Sequence, residues 1–272
     1  MKWQSLLAAG MAAMMMAVAG CGGQQNASNS GSSSAASAGK AIVVGLDDNF
    51  PPMGFKGEDG QITGFDIDLA KEATKRLGRE VEFKAIDWSS KEAELKSGRV
   101  DVLWNGLDIT EKRKENMLFS DPYMDNRQII FVKKGETSIK DEKSLAGKVV
   151  GTQSASTSEE YMDGNDFFKK EVKEVKKYSD FVSAFMDLEN GRIDAVVGDE
   201  IVGRYYMSKH ADKLEAVDVA VGPVSTFGIG FAKDNQQLRD EVQATLKEMA
   251  KDGTMAKIAD QYKIERAALI LK

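Results

Sequence analysis

Leu95-Lys-Ser-Gly-Arg-Val-Asp-Val-Leu-Trp-Asn105 recurs, little changed, as Leu188-Glu-Asn-Gly-Arg-Ile-Asp-Ala-Val-Val-Gly198. Each copy reads as the end of an amphipathic helix, a glycine at its C-terminus, an arginine, and a short apolar strand. Gly-Arg-Val/Ile-Asp is also simply a good helix-to-strand connection, so the repeat gains meaning from the residues next to it. After one copy come Gly106-Leu107-Asp108, after the other Asp199-Glu200. Ligands of open α/β sheets bind beyond the carboxyl ends of strands. The copies are too far apart for a solenoid repeat. They suit two lobes built on one α/β plan, with strand ends facing each other across a cleft.

The rest of the chain alternates in the same way. Strands are expected at 41–46, 81–86, 100–104 and 128–132, and then at 148–151, 174–177 and 195–198 in a second sheet, with a last one at 227–232. Helices are expected at 66–77 (closed by Gly78), 89–96, 156–163 and 180–190. Two C-terminal helices come last, with Leu238, Val242, Leu246 and Met249 on one face and Gly253 as the break. This is the pattern of parallel or mixed sheets flanked by helices.

The segment after the first copy, residues 105–123, carries the chemistry. Thr110 is placed to cap a helix that holds Arg113, so free backbone N–H groups, a helix N-terminus and a guanidinium converge at a strand end. Such a point binds anions, a carboxylate among them. Asp108 stands beside it. Opposite charges side by side suit a zwitterion such as a free α-amino acid. Asp47-Asp48-Asn49-Phe50-Pro51-Pro52 ends the first strand, and the prolines stiffen the loop that carries Phe50. Asp87-Trp88 ends the second expected strand, so two aromatics could flank a small side chain. Each is equally suited to ordinary core packing. Gly151-Thr152-Gln153-Ser154-Ala155-Ser156-Thr157 offers backbone N–H groups and hydroxyls to an anion but lacks the lysine and glycine spacing of a phosphate loop. Asp199 suits an ammonium as an acceptor-only group, or merely caps the next helix.

Composition removes several alternatives. The formal net charge of −6, with Lys and Glu interspersed, gives no basic stripe for nucleic acid. His210 is the single histidine and Cys21 the single cysteine, which excludes most catalytic triads and zinc sites. No metal and no cofactor are expected. Residues 1–20 read as a signal peptide, with Lys2 followed by an apolar run too short for a comfortable membrane span. Val18-Ala19-Gly20-Cys21 is similar to a lipobox, in which Cys21 is lipidated; an ordinary secretory peptide containing a cysteine is the alternative. Residues 22–39, without a large apolar side chain, are expected to be a flexible tether.

Gly64-Phe65-Asp66-Ile67-Asp68-Leu69-Ala70, the Asn105–Arg113 segment, Phe119-Ser120-Asp121-Pro122-Tyr123, Gly191-Arg192-Ile193-Asp194-Ala195 and Asp252-Gly253-Thr254 occur in that order. Together, over about residues 40–265, they resemble the family 3 extracellular solute-binding proteins, the polar amino-acid receptors of bacterial ABC importers. The resemblance implies a two-lobed periplasmic-binding-protein-like fold of type II, each lobe a mixed sheet flanked by helices. Lobe 1 would take 40–124 plus 225–272 and lobe 2 125–224, joined by hinge strands near 123–127 and 222–226. It implies that Arg113 takes the α-carboxylate, helped by the backbone N–H groups of Asp108 and Thr157. The ammonium would go to the Gly106 carbonyl, Asp199 and Asp108. Phe50 and Trp88 would flank the ligand side chain, with Asp47 and Gln153 at its far end, and Asn105 and Ser156 complete the expected site. Asp108 departs from the Thr or Ser usual there. A monomer is expected, tethered by lipid to the outer face of the membrane, with a free polar amino acid such as glutamine or cystine and an ABC permease as partners. An enzyme on the same fold, similar to cyclohexadienyl dehydratase, and an amino-acid sensor are the alternatives.

Overall fold

The structure is a computed structural model that describes residues 40–272. The expected signal peptide, Cys21 and the expected tether lie outside the described residues. The chain opens with β1 (Ile42–Leu46), then a small antiparallel sheet of β2 (Asn49–Phe50), β3 (Gly54–Lys56) and β4 (Ile62–Thr63), which the sequence had not suggested. Helix α1 (Phe65–Arg76) buries Phe65, Ile67, Leu69, Ala70 and Ala73, and its charges follow the helix dipole, with Asp66 and Asp68 in the first turn and Lys75 and Arg76 in the last. Gly78 ends it at a φ of 65°. Strand β5 (Val81–Ala85), a 3₁₀ turn from Trp88 to Ser90, α2 (Lys91–Lys96), β6 (Val102–Asp108), α3 (Glu111–Asn116) and β7 (Leu118–Phe119) come next.

β8 (Met124–Asn126) leads directly into β9 (Gln128–Lys133), the first strand of a second sheet. Then come β10 (Val149–Gln153), α4 (Thr157–Gly164), α5 (Asp166–Lys170), β11 (Glu174–Tyr178), α6 (Phe181–Glu189), β12 (Ala195–Asp199), α7 (Glu200–Lys209) and β13 (Leu214–Ala220). The chain returns to the first sheet in β14 (Ser225–Phe231) and ends in α8 (Gln236–Lys251) and α9 (Thr254–Gln261). At the two crossings β8 and β14 pair antiparallel, with Ser225 opposite Asn126 and Phe227 opposite Met124.

The sheets share one plan. The first runs β5-β1-β6-β14-β7 and the second β11-β10-β12-β9-β13. In both, the strand at the second position (β1, β10) pairs parallel with its two neighbours and the strand at the fourth (β14, β9) pairs antiparallel with the third. The duplicated segments supply the third strand of each sheet, β6 and β12. Both are buried along their whole length, as expected of strands covered on both faces. One correction concerns β6. It runs through Asp108 rather than ending at Trp104, because β14 extends the ladder with Phe227 opposite Asp108. Nothing in the local pattern around 105–108 announces a partner more than a hundred residues away. His210 stands at the C-terminal end of α7 with a half-exposed side chain, its ring stacked on Tyr206 at 4.2 Å and its Nδ1 2.8 Å from Glu189.

Candidate functional site

The facing ends of β6 and β12 meet around one cavity. It is lined by Phe50, Trp88, Gly106, Asp108 and Arg113 from one lobe and by Gln153, Ser156, Thr157 and Asp199 from the other. Its volume is about 10 Å³, the scale of a single water, so the lobes are closed on each other. Asp47 and Asn105, the remaining expected residues, stand just behind the wall. Asn105 turns inward, its Oδ1 accepting the Asp47 N–H at 3.1 Å, so it supports the loop after β1. Asp47 accepts a 2.7 Å hydrogen bond from Gln153 Nε2 across the cleft.

At one end of the cavity is Arg113, 1% exposed. Thr110 caps α3 by accepting the Arg113 N–H, which fixes the backbone beneath the side chain. Nη1 donates to the Asp108 carbonyl at 3.0 Å, and Nη2 to Glu160 Oε1 at 3.1 Å and the Ala155 carbonyl at 3.3 Å. Its Nε and the Thr157 hydroxyl are buried donors with no protein partner. Buried donors are costly to leave unpaired. Two of them beside a guanidinium describe a place for an anion. Ser156 caps α4 by accepting the Glu159 N–H, which sets the small-residue turn in place.

At the other end are two buried carboxylates, Asp108 and Asp199. Asp199 makes no capping hydrogen bond to α7, which removes the helix-cap reading. Instead Asn126 Nδ2 donates to Asp108 Oδ1 at 3.0 Å and to Asp199 Oδ1 at 2.5 Å, and Gln128 Nε2 donates to Asp199 at 2.9 Å. Ser225 Oγ donates to Asp108 at 2.6 Å. Burial, and then the neighbouring Asp108, push the Asp199 carboxyl up to about 7. Sites where like charges are forced together in this way favour a cation between them.

The backbone of this end is held from below. Gly106 has a φ of 55°, and a Cβ there would lie 2.7 Å from the Phe50 ring. Its N–H donates to Asp66 Oδ2 at 2.7 Å, which also accepts the Tyr123 hydroxyl at 2.9 Å. Asp66 is fully buried, and burial pushes its carboxyl up to about 7. Phe50 lies 6.1 Å from Phe181 of the opposite lobe. The region behind the wall, at the loop after β1, is acidic. Asp47 is pushed up to about 6, mainly by burial and further by Asp180 and Asp48.

Several contributors had no site role in the sequence reading, notably Asn126, Gln128, Ser225 and Asp66. Asn126 and Gln128 carried a usable signal, since amide side chains at i and i+2 beside an expected hinge are out of place in an otherwise apolar strand. Ser225 and Asp66 act through contacts that join distant parts of the chain.

The model of the bacterial extracellular solute-binding proteins, family 3, matches residues 42–265. The L-cystine-binding protein TcyJ of Escherichia coli strain K12 is 33% identical over 222 residues, covering 81% of this chain and 82% of that protein. ABC transporter arginine-binding protein 1 of the same strain is 33% identical over 229 residues, covering 83% and 92%. Among solved structures, an ancestral arginine-binding protein bound to arginine superposes with a TM-score of 0.77 at 42% identity, covering 82% of this chain and 97% of that one. The repeated α/β plan, the two strand crossings and the cleft at the facing strand ends agree with these likenesses, and the chain belongs to the bacterial extracellular solute-binding proteins of family 3.

Proposed function

We propose that this protein captures a free α-amino acid between its lobes and delivers it to an ABC permease, without chemical change to the ligand. The observation that carries the reading is one cavity with a buried guanidinium at one end and a buried carboxylate pair at the other. Arg113 would take the α-carboxylate with the turn at Ser156 and Thr157, and Asp108, Asp199 and the Gly106 carbonyl the α-ammonium. Water excluded by closure strengthens both interactions. Phe50 and Trp88 would border the side chain, whose far end meets Asp47 and Gln153. An acidic, acceptor-rich end favours a side chain with donors, such as the amide of glutamine, the second ammonium of cystine or a guanidinium. Relatives named for cystine and arginine fit that range.

Among the described residues no helix is long and apolar enough to cross a membrane. The membrane link we propose is lipid on Cys21, with residues 22–39 as tether and the domain on the extracytoplasmic side. Substitution Cys21→Ala is expected to move the protein from the membrane fraction to the soluble fraction. A thermal-shift screen of the free amino acids and cystine, on protein stripped of co-purified ligand, tests the binding function. A ligand that binds only the folded state raises its melting temperature. A rise with a donor-bearing amino acid supports the reading, and no rise with any of them overturns it.

A further inference from the structure

Lys91 lines no part of the cavity, yet it is only 3% exposed. From the first position of α2 its Nζ crosses the cleft to donate to the Ala155 carbonyl at 2.8 Å, and it lies 5.2 Å from the centre of the Trp88 ring. The Trp88 carbonyl is a longer second acceptor at 3.4 Å. Burial pushes the ammonium down to about 8. Arg113 adds to that shift, and Glu160, Glu92 and Glu159 oppose it. A lysine buried in this way is costly, so its location calls for a use.

Its acceptor is unusual as well. Ala155 has a φ of 56°, in the left-handed region that a residue with a Cβ avoids. Its N–H donates to the Glu159 carboxylate, and its carbonyl also accepts from Arg113 Nη2. One strained turn of lobe 2 therefore presents a single carbonyl to two cations of lobe 1. Strain of this kind persists only where the surroundings over-determine it. Directly after it stand Ser156 and Thr157, at the start of α4.

We propose that Lys91 is a positioning residue of the amino-acid site: by seating the Ala155 carbonyl it holds the Ser156–Thr157 turn against Arg113 and slows release of the bound α-carboxylate. This rests on the proposed amino-acid binding. Lys91 meets Ala155 only when the lobes meet, so its loss should act on dissociation and leave association nearly unchanged.

The test is stopped-flow and calorimetric binding of L-glutamine, L-arginine and L-cystine to the full chain and to Lys91→Met, Lys91→Gln and Lys91→Arg. A hydrogen bond from a charged group sets the expected scale, about a tenfold weaker affinity in the Met variant, carried by a faster off-rate. The Arg variant, which keeps a cationic donor, should recover most of the loss, and Gln stands in for Met if that variant folds poorly. Unchanged affinity and off-rate in the folded Met or Gln variant would overturn the role of Lys91. So would a loss carried by the on-rate alone. If none of the three binds the wild type, the best amino acid of the thermal-shift screen takes their place, and a wild type that binds no free amino acid overturns the binding function itself, and this role with it.

Discussion

β6 and β12 occupy the same place in two sheets of the same order, both are apolar along their first three residues, and the difference that matters is at their ends. By sheet position and sequence, Asn105 matches Gly198 and Gly106 matches Asp199. β12 stops at its acid, and α7 begins at once with Glu200. β6 has glycine at the matching position and continues for one more strand repeat to Asp108, before turning into α3 with Arg113. The left-handed Gly106 and a register shift against β14 interrupt the regular ladder here, and the extension brings Asp108 toward Asp199, the two sharing Asn126 Nδ2 as a donor. The lesson is a division of labour between near copies. Both ends supply an acid, whereas the longer one alone adds a cation, the group that the proposed function needs to make an acidic cleft a zwitterion site.

The sharpest way to break that division is Arg113→Ala. Removing one partner of a buried charge interaction costs about 2–5 kcal/mol or more, so affinity should fall at least about thirtyfold, with Arg113→Lys falling in between. Calorimetry on the folded variants checks it, and near-normal affinity in the alanine variant would show that β6 is not the carboxylate jaw. Next comes the glycine that separates the two ends. Gly106→Ala adds a Cβ 2.7 Å from Phe50 at a left-handed position, and should destabilise the fold by about 3 kcal/mol in denaturant titration. Gly98→Ala, also left-handed but facing open space, should cost only about 1–2 kcal/mol.

Protonation separates folding from binding. Asp199 and Asp66 sit at about 7 and Asp47 at about 6, each raised mainly by burial. Between the unfolded value of about 4 and these values the folded chain binds more protons. Their contribution to stability is therefore full at low pH and is lost as pH rises through about 6 to 7. Acids held low by partners, such as Asp187 and Asp252, act only below about pH 4. Thermal unfolding without amino acid should thus improve from pH 7.5 to pH 5. Binding should weaken over the same range, because the ammonium needs Asp199 charged. Parallel trends in both would contradict the ammonium role.

Asp108→Thr is the smallest change. It removes the second cause of the raised Asp199 carboxyl, so the pH at which binding fails should move lower, while affinity near pH 8 changes less than about tenfold. An unmoved midpoint in a pH series of titrations would mean that the two strand ends do not act as one carboxylate pair.

Much of this was readable from local signals. The glycine after each helix, the apolar runs and the Thr110 cap announce the repeated units, and Asp108, Arg113 and Asp199 are marked by their places at strand ends. What the sequence hid depends on contacts between distant residues. The extension of β6 needs β14, the carboxylate pair needs Asn126, Gln128 and Ser225 at the crossings, and Lys91 has meaning only against Ala155. Period and capping report a residue's neighbours along the chain, and none of these partners is one.

The central claim is that the cleft recognises both charged groups of an α-amino acid at once. Calorimetric titration of stripped wild-type protein with the best amino acid of the screen, beside its analogues lacking either the α-ammonium or the α-carboxylate, tests this most directly. Saturable one-to-one binding of the intact amino acid, with each analogue weaker by at least about a hundredfold, is the predicted result. An analogue that binds as tightly as the parent would contradict the account.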